Sequence, residues 1–419
     1  MTFGKHFASA SRAALAAALT LGLVAVTPAE AQRGRDKKEE APAQRKLKLS
    51  KPVQKIAGDA QKLQAAGDHA GALAKLAEAD ALPKEDDDAE VLGKLRLQSG
   101  VAMKDNRVIE AALTELTDLG TLPQPDQIQY LAFVANLALQ REDYAKAAAF
   151  FDKHNALQPN NPAILVNAAE TFNRLGDTGK AMTTLKAAID AKNATGEKAE
   201  ESWYKRRVSM AVDSGDKSIQ TDAFIDWVKA YPSPTSWRDA VLLTRDSFPG
   251  MDDQTLLDFS RFQAASKSMA GERDFVEYAD TALGRGYPGE AKAAIDAGIA
   301  ANELDPAKPL IKELKNVADS KAQADKAGLG QLEKEVGTNA RLALATGDAF
   351  YGFAQYAKAA ELYRKAQGAT NVDAATVNLR LGAALAMAGD KTAAAEALKA
   401  VDGGARAALA KYWLAFIGA

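Results

Sequence analysis

The chain has 419 residues, of which 47% are hydrophobic, 7% aromatic and 26% charged, with a formal net charge of −2. An apolar complement rich in Ala and Leu suits close-packed helices better than a sheet, and the balanced charge argues against a nucleic-acid binder, which needs a basic patch. The absence of cysteine excludes disulfides, thiol catalysis and thiolate metal sites.

The first 31 residues read as a cleavable signal peptide. Lys5, His6 and Arg12 give a positive start, Ala13–Val26 is an apolar stretch too short to span a bilayer, and Thr27-Pro28 breaks it before the small-residue site Ala29-Glu30-Ala31. The alternative is an Ala-rich amphipathic helix of the mature chain. Cleavage near Ala31/Gln32 implies export, and the Ala-rich style points to the bacterial periplasm. No later segment is apolar enough for a transmembrane anchor. Residues 32–52 read as a basic disordered linker, with Pro42, Pro52 and eight Lys and Arg against Asp36, Glu39 and Glu40. A second reading makes this stretch a peripheral tether to anionic envelope surfaces, at about 1 kcal/mol per basic residue.

From Val53 the apolar spacing is helical. Leu63, Ala72, Leu73, Leu76 and Ala79 flank the turn Gly67-Asp68-His69. Leu92, Leu95 and Val101 lead to a turn at Lys104-Asp105-Asn106 and a return through Ile109, Leu113 and Leu116. Two clearer hairpins follow over Ile128–Pro159 and Pro162–Asn193, and another opens at Glu201 with Trp203, Tyr204, Val208 and the turn Gly215-Asp216. Between Lys217 and Lys326 the spacing predicts helices at Thr221–Ala230, Ser236–Asp246, Gln254–Met269, Arg273–Leu283, Gly289–Ala300 and Pro309–Ser320, with a hinge at Lys321–Gly330. Two further hairpins and a C-terminal helix, Ala405–Ile417, end the chain. The turns recur: Glu142–Ala147 returns 34 residues later as Gly176–Ala181, and Ala354–Ala359 returns 35 residues later as Gly389–Ala394. A fixed period of this length signals stacked helical pairs.

These residues resemble the tetratricopeptide repeat family. Its pattern is met by Leu165, Ala169, Phe172, Gly176, Ala181 and Ala188. It is met again by Gly347, Phe350, Tyr356, Ala359, Tyr363 and Ala366, and by Gly382, Leu385, Gly389, Ala394 and Leu398. His154 stands where the pattern has a small Ala, and Asn193 where it has Pro. The resemblance implies an all-α, right-handed α-solenoid (a superhelix) of tetratricopeptide and similar helical hairpins. The expected division is 53–216 as an N-terminal array, 217–326 as an irregular helical region, and 327–419 as a C-terminal pair with a capping helix. Small residues such as Ala147 and Ala181 are needed where the two helices of a hairpin approach, and overpacking there costs about 1–3 kcal/mol.

The family places groove-facing positions on the first helix of each pair, which here are Gln129, Asn136, Asn167, Glu170, Asn173, Lys205 and Arg206. Some members grip a peptide carboxylate with Lys, Asn, Asn, Lys and Arg. Asn136, Asn167 and Arg206 match that clamp, but Ala132 and Ser202 replace its two lysines. The resemblance therefore implies a non-enzymatic periplasmic scaffold that binds protein segments in a concave groove. Two other readings stand beside it. One is a ligand-binding or enzymatic middle domain, motivated by Trp227, Tyr231 and Trp237. The other is a structural homo-oligomer joined through Trp413 and Phe416 of the C-terminal helix, which otherwise caps the last repeat.

Other signals are weak. Gly284–Gly289 fits G-x-G-x-x-G but follows a helical segment, so it reads as a turn and not a dinucleotide site. His69 and His154 lack companion ligands and read as packing residues. Glu85–Asp88 reads as a solvated loop and helix start, lacking the Gly and final Glu of a calcium loop. No catalytic residue, cofactor or metal is expected.

Overall fold

The computed structural model describes residues 47–419. The expected signal segment 1–31 and residues 32–46 of the expected linker lie outside the described residues. The described chain is all α: twenty α-helices and one short 3-10 turn, with no strand among the described residues. Residues up to 199 and residues 200–419 form two compact units.

The first unit holds α1 (Lys51–Ala65), α2 (His69–Ala77), α3 (Asp86–Met103), α4 (Asn106–Leu119), α5 (Gln124–Gln140), α6 (Tyr144–Leu157), α7 (Pro162–Arg174) and α8 (Thr178–Ala194). Each helix packs on the next, and α1 also touches α3 as α5 touches α7, so the hairpins stack. The recurring turn works as a stop followed by a start. Gly67 and Gly176 adopt φ of +82°, a left-handed conformation that costs glycine little and ends a helix. The next residue caps the following helix: Asp68 accepts from the Gly71 amide at 2.7 Å and Asp177 from the Lys180 amide at 3.0 Å. Each such cap contributes about 1 kcal/mol. Ala147 and Ala181 are fully buried just past these turns, as their small size requires.

One detail differs from the sequence reading. The linker is ordered at its end, because the Lys48 and Ser50 amides donate to Asp87 at 2.8 Å and Asp88 at 2.9 Å, and α1 begins at Lys51. Those acidic residues therefore anchor the incoming chain at the α3 start and are not merely solvated. Gly215-Asp216 is an ordinary hairpin turn, with Asp216 capping at 2.9 and 3.0 Å, and the units divide at 199/200.

The second unit holds α9 (Glu201–Ser214), α10 (Lys217–Ala230), α11 (Pro234–Ser247), α12 (Asp253–Ala265), α13 (Gly271–Gly284), α14 (Pro288–Ala300), α15 (Pro309–Glu335), α16 (Ala340–Gly352), α17 (Tyr356–Ala366), α18 (Ala374–Ala388), α19 (Lys391–Lys399) and α20 (Gly404–Ile417). The expected hinge at Lys321–Gly330 lies inside α15. Its Ala and Lys residues are good helix formers, and Ile311, Ala318, Ala322 and Leu329 bury one face of the continuous helix.

The C-terminal helix does more than cover the last hairpin. It packs on α18 and α19 and also on α10, α11 and α12, so the end of this unit meets its beginning. Trp413, 1% exposed, and Tyr412 are buried there. The Phe262 ring lies edge-on to Trp413 at 5.2 Å and to Trp237 at 5.4 Å. The apolar face that the oligomer reading assigned to another copy is thus used within the chain, apart from Phe416, which stays 38% exposed.

Candidate functional site

The expected groove residues of the first unit lie on two adjacent helices. Gln129 and Asn136 are two turns apart on one side of α5, and Asn167, Glu170 and Asn173 follow along α7; all five are half-buried. The structure joins the two helices directly: Asn167 Nδ2 donates to Asn136 Oδ1 at 2.8 Å, and Asn136 Nδ2 donates to the Ala132 carbonyl at 2.8 Å. Asn136 is therefore engaged at both ends of its amide. Asn167 keeps its carbonyl oxygen without a donor among the described residues. Glu170 pairs with Arg174 at 2.9 Å. The result is a polar row with amide groups of both kinds, suited to a peptide backbone or a carboxylate.

Lys205 and Arg206 belong to α9 of the second unit. Lys205 is exposed, 3.1 Å from Glu201 and 5.4 Å from the Trp227 ring centre. The aromatic trio of the middle region is engaged in packing and hydrogen bonding. Trp227 is buried with its indole N–H on Glu201 at 3.0 Å, Tyr231 stacks edge-on to Tyr204, and Trp237 is buried against Phe262. Gly284–Gly289 forms the turn between α13 and α14. His154 is buried in α6, where burial holds its imidazole below the usual value against a hydrogen bond to Asn155 at 3.2 Å.

The second unit contains a charge lattice that sequence reasoning did not find. Arg261 of α12 makes a bidentate pair with Glu290 of α14, at 2.7 Å to each oxygen, and reaches Asp348 of α16 at 3.0 Å. Arg380 of α18 bridges Asp258 at 2.8 Å and Asp348 at 2.7 Å. Arg406 of α20 closes the chain on Asp258 at 2.9 Å. Three tyrosines donate into it: Tyr278 to Glu290 at 2.7 Å, and Tyr287 and Tyr363 to Asp348 at 2.9 and 2.8 Å. Three guanidiniums thus face three carboxylates, nearly all fully buried. Burial alone would raise the Asp348 carboxyl, but Arg380, Arg261 and the two phenols outweigh it and hold it below the usual carboxylate range. Burial also works against the Arg261 guanidinium, yet Glu290 and Asp348 keep it well above its ordinary value. Every oxygen of these carboxylates is bonded, so the lattice fixes the charges in place.

Residues 138–197 match the model of the tetratricopeptide repeat family. The chain carries tetratricopeptide repeats. Among solved structures it is similar to the tetratricopeptide domain of P58(IPK), at 18% identity over 81% of this chain and 99% of that one, with a TM-score of 0.25. A tetratricopeptide repeat protein from Parabacteroides merdae gives 13% identity over 80% and 100%, with 0.19. The Naa15/Naa10 complex bound to HypK gives 16% over 83% and 57%, with 0.31. These scores are low, so the fold assignment rests on the helical pairs and on the family match. The comparison with curated proteins returns no match.

The repeats explain which positions sequence could expose. The matched segment holds Asn167, Glu170 and Asn173, whose spacing on one helix was legible from the family pattern. The lattice was not legible. Asp258 and Arg380 are 122 residues apart, and Asp258 and Arg406 148 apart. A tetratricopeptide pattern, which describes neighbours within a hairpin, says nothing of such pairs. A buried Arg in a helix with an acidic residue three positions before it, as Asp258 and Arg261 stand, was the available signal. Among the described residues no helix is long and apolar enough to cross a membrane.

Proposed function

We propose that the protein is a non-enzymatic scaffold of the bacterial periplasm that binds protein segments along its tetratricopeptide repeats. The observation that carries this reading is the Asn136–Asn167 bond, which links the first helices of consecutive repeats into one polar row while leaving the Asn167 oxygen open. A preformed helical surface of this kind takes an extended or helical segment at small ordering cost. Gln129, Glu170 and Asn173 extend the row. Lys205 and Arg206 are proposed separately, as contacts on the second unit's own helix α9. Export follows from the residue order of segment 1–31, and the basic stretch 32–46 is proposed as the spacer behind it.

Capture from a periplasmic extract tests the binding role. The mature chain is expected to retain a saturable protein partner that the double variant N167A/E170A loses while keeping its helical circular dichroism. Equal capture by both would remove this row from the binding site, and no saturable partner at all would remove the scaffold. Fusing residues 1–31 to a reporter phosphatase that is active only outside the cytoplasm tests export; an inactive fusion would contradict it.

A further inference from the structure

The second unit has an open cavity of about 390 Å³ beside the charge lattice. Its walls come from the C-terminal end of α12, from α13 and α14, and from α16 to α18. They are mostly apolar: Met269, Phe275, Ala293, Ala297 and Met387 surround the space. The volume lies within the range of about 300–1,000 Å³ usual for small-molecule sites.

Unmatched polar groups line it. Tyr351 lines the cavity, and its hydroxyl makes no hydrogen bond among the described residues. The lining charges do not cancel. Arg261 and Glu290 neutralise each other in their bidentate pair, and Tyr278 donates to Glu290 at 2.7 Å. Lys267 remains, an exposed ammonium with no ion pair among the described residues. It sits one turn beyond Gln263, just past the end of α12. The carbonyls of that helix end are already taken: the Ser266 hydroxyl donates to the Phe262 carbonyl at 2.8 Å, and the Ser268 amide to the Gln263 carbonyl at 2.9 Å. What faces the space is therefore one unpaired positive charge over apolar walls.

We infer that this cavity binds a small amphipathic carboxylate of the medium-chain fatty-acid class. Its chain lies among Met269, Phe275 and Met387, and its carboxylate accepts from the Lys267 ammonium. The site is separate from the Asn136–Asn167 row, which lies on the other unit, and none of its lining residues is Lys205 or Arg206. Binding removes the alkyl chain's apolar surface from water.

Titration calorimetry of the mature chain with decanoate, below its micelle concentration, tests the inference, with decanol as the uncharged counterpart. One saturable equivalent of decanoate is expected. Lys267→Ala, at an exposed position, should weaken decanoate by about fivefold and leave decanol unchanged. Ala297→Phe should fill the space and abolish binding of both, and the milder Ala293→Val should weaken both if the Phe variant fails to fold. Absence of saturable decanoate binding overturns the inference. So does decanoate binding that is indifferent to Lys267→Ala, or to both cavity-filling changes.

Discussion

Asp348 is 0% exposed between two guanidiniums and two phenols. Removing its charge leaves Arg380 and Arg261 without a shared counter-ion, and breaking a buried pair in this way costs about 3–5 kcal/mol. Asp348→Asn is therefore expected to lower the denaturation free energy by that amount, as read from urea midpoints. The pH dependence has a definite sign. The carboxyl is held lower in the folded chain than its ordinary 3.8, so its stabilisation is complete above that value and is lost as pH falls through the folded value. His154 behaves alike for a different reason. Burial lowers the imidazole from 6.5 in the fold, so the unfolded chain takes up the proton first as pH drops. Stability is expected to fall below pH 6.5 by at most about 1.4 kcal/mol per pH unit. In His154→Gln that part of the slope should vanish, and a slope unchanged by the substitution would contradict the assignment.

At the scale of elements, much of the chain was legible. The turns announced the hairpins because a left-handed residue followed by an Asp cap is a local signal, read without knowing any distant partner. Helices from α10 to α14 fell within a few residues of their expected bounds, since Pro and Gly mark their ends. Close packing was legible as well. A Cβ placed on Gly382 would lie 2.5 Å from the Leu398 side chain, and one on Gly347 would lie 2.6 Å from the Tyr363 ring. Gly382→Ala is accordingly expected to destabilise by about 1–3 kcal/mol despite its better helix propensity. Unfolding by chemical denaturant checks this, and a stabilised variant would show the helices to be more loosely paired. Two elements escaped the sequence. The Ala- and Lys-rich run within α15 has a composition shared by hinges and helices, and only the burial of Ala322 and Leu329 decides between them. The role of α20 was half legible: its aromatic face demanded cover, but nothing local named α10, α11 and α12 as the cover.

At the scale of the whole molecule, the chain divides into two units with different characters. Residues 47–199 are a run of hairpins in which each helix meets its near neighbours, so damage there should stay local. Residues 200–419 are bound across their length by the lattice and by α20, which ties Tyr412 to Thr244 at 2.5 Å and Arg406 to Asp258 at 2.9 Å. The cavity proposed to hold a carboxylate depends on that closure, because its walls come from helices on both sides of it. The candidate protein-binding row was legible in part for the complementary reason: it belongs to repeats, whose pattern is local. Its amide-to-amide bond was not, since spacing along one helix does not report which groups meet across two.

Hydrogen exchange of the full mature chain, followed peptide by peptide, tests this closure most directly. The amides of α20 are expected to exchange as slowly as those of α11 and α12 and to be released together with them under mild denaturant, because the three form one cooperative body. Rapid exchange of residues 404–417 while α11 and α12 stay protected would mean that the C-terminal helix only rests on the last hairpin, and that the second unit is not closed.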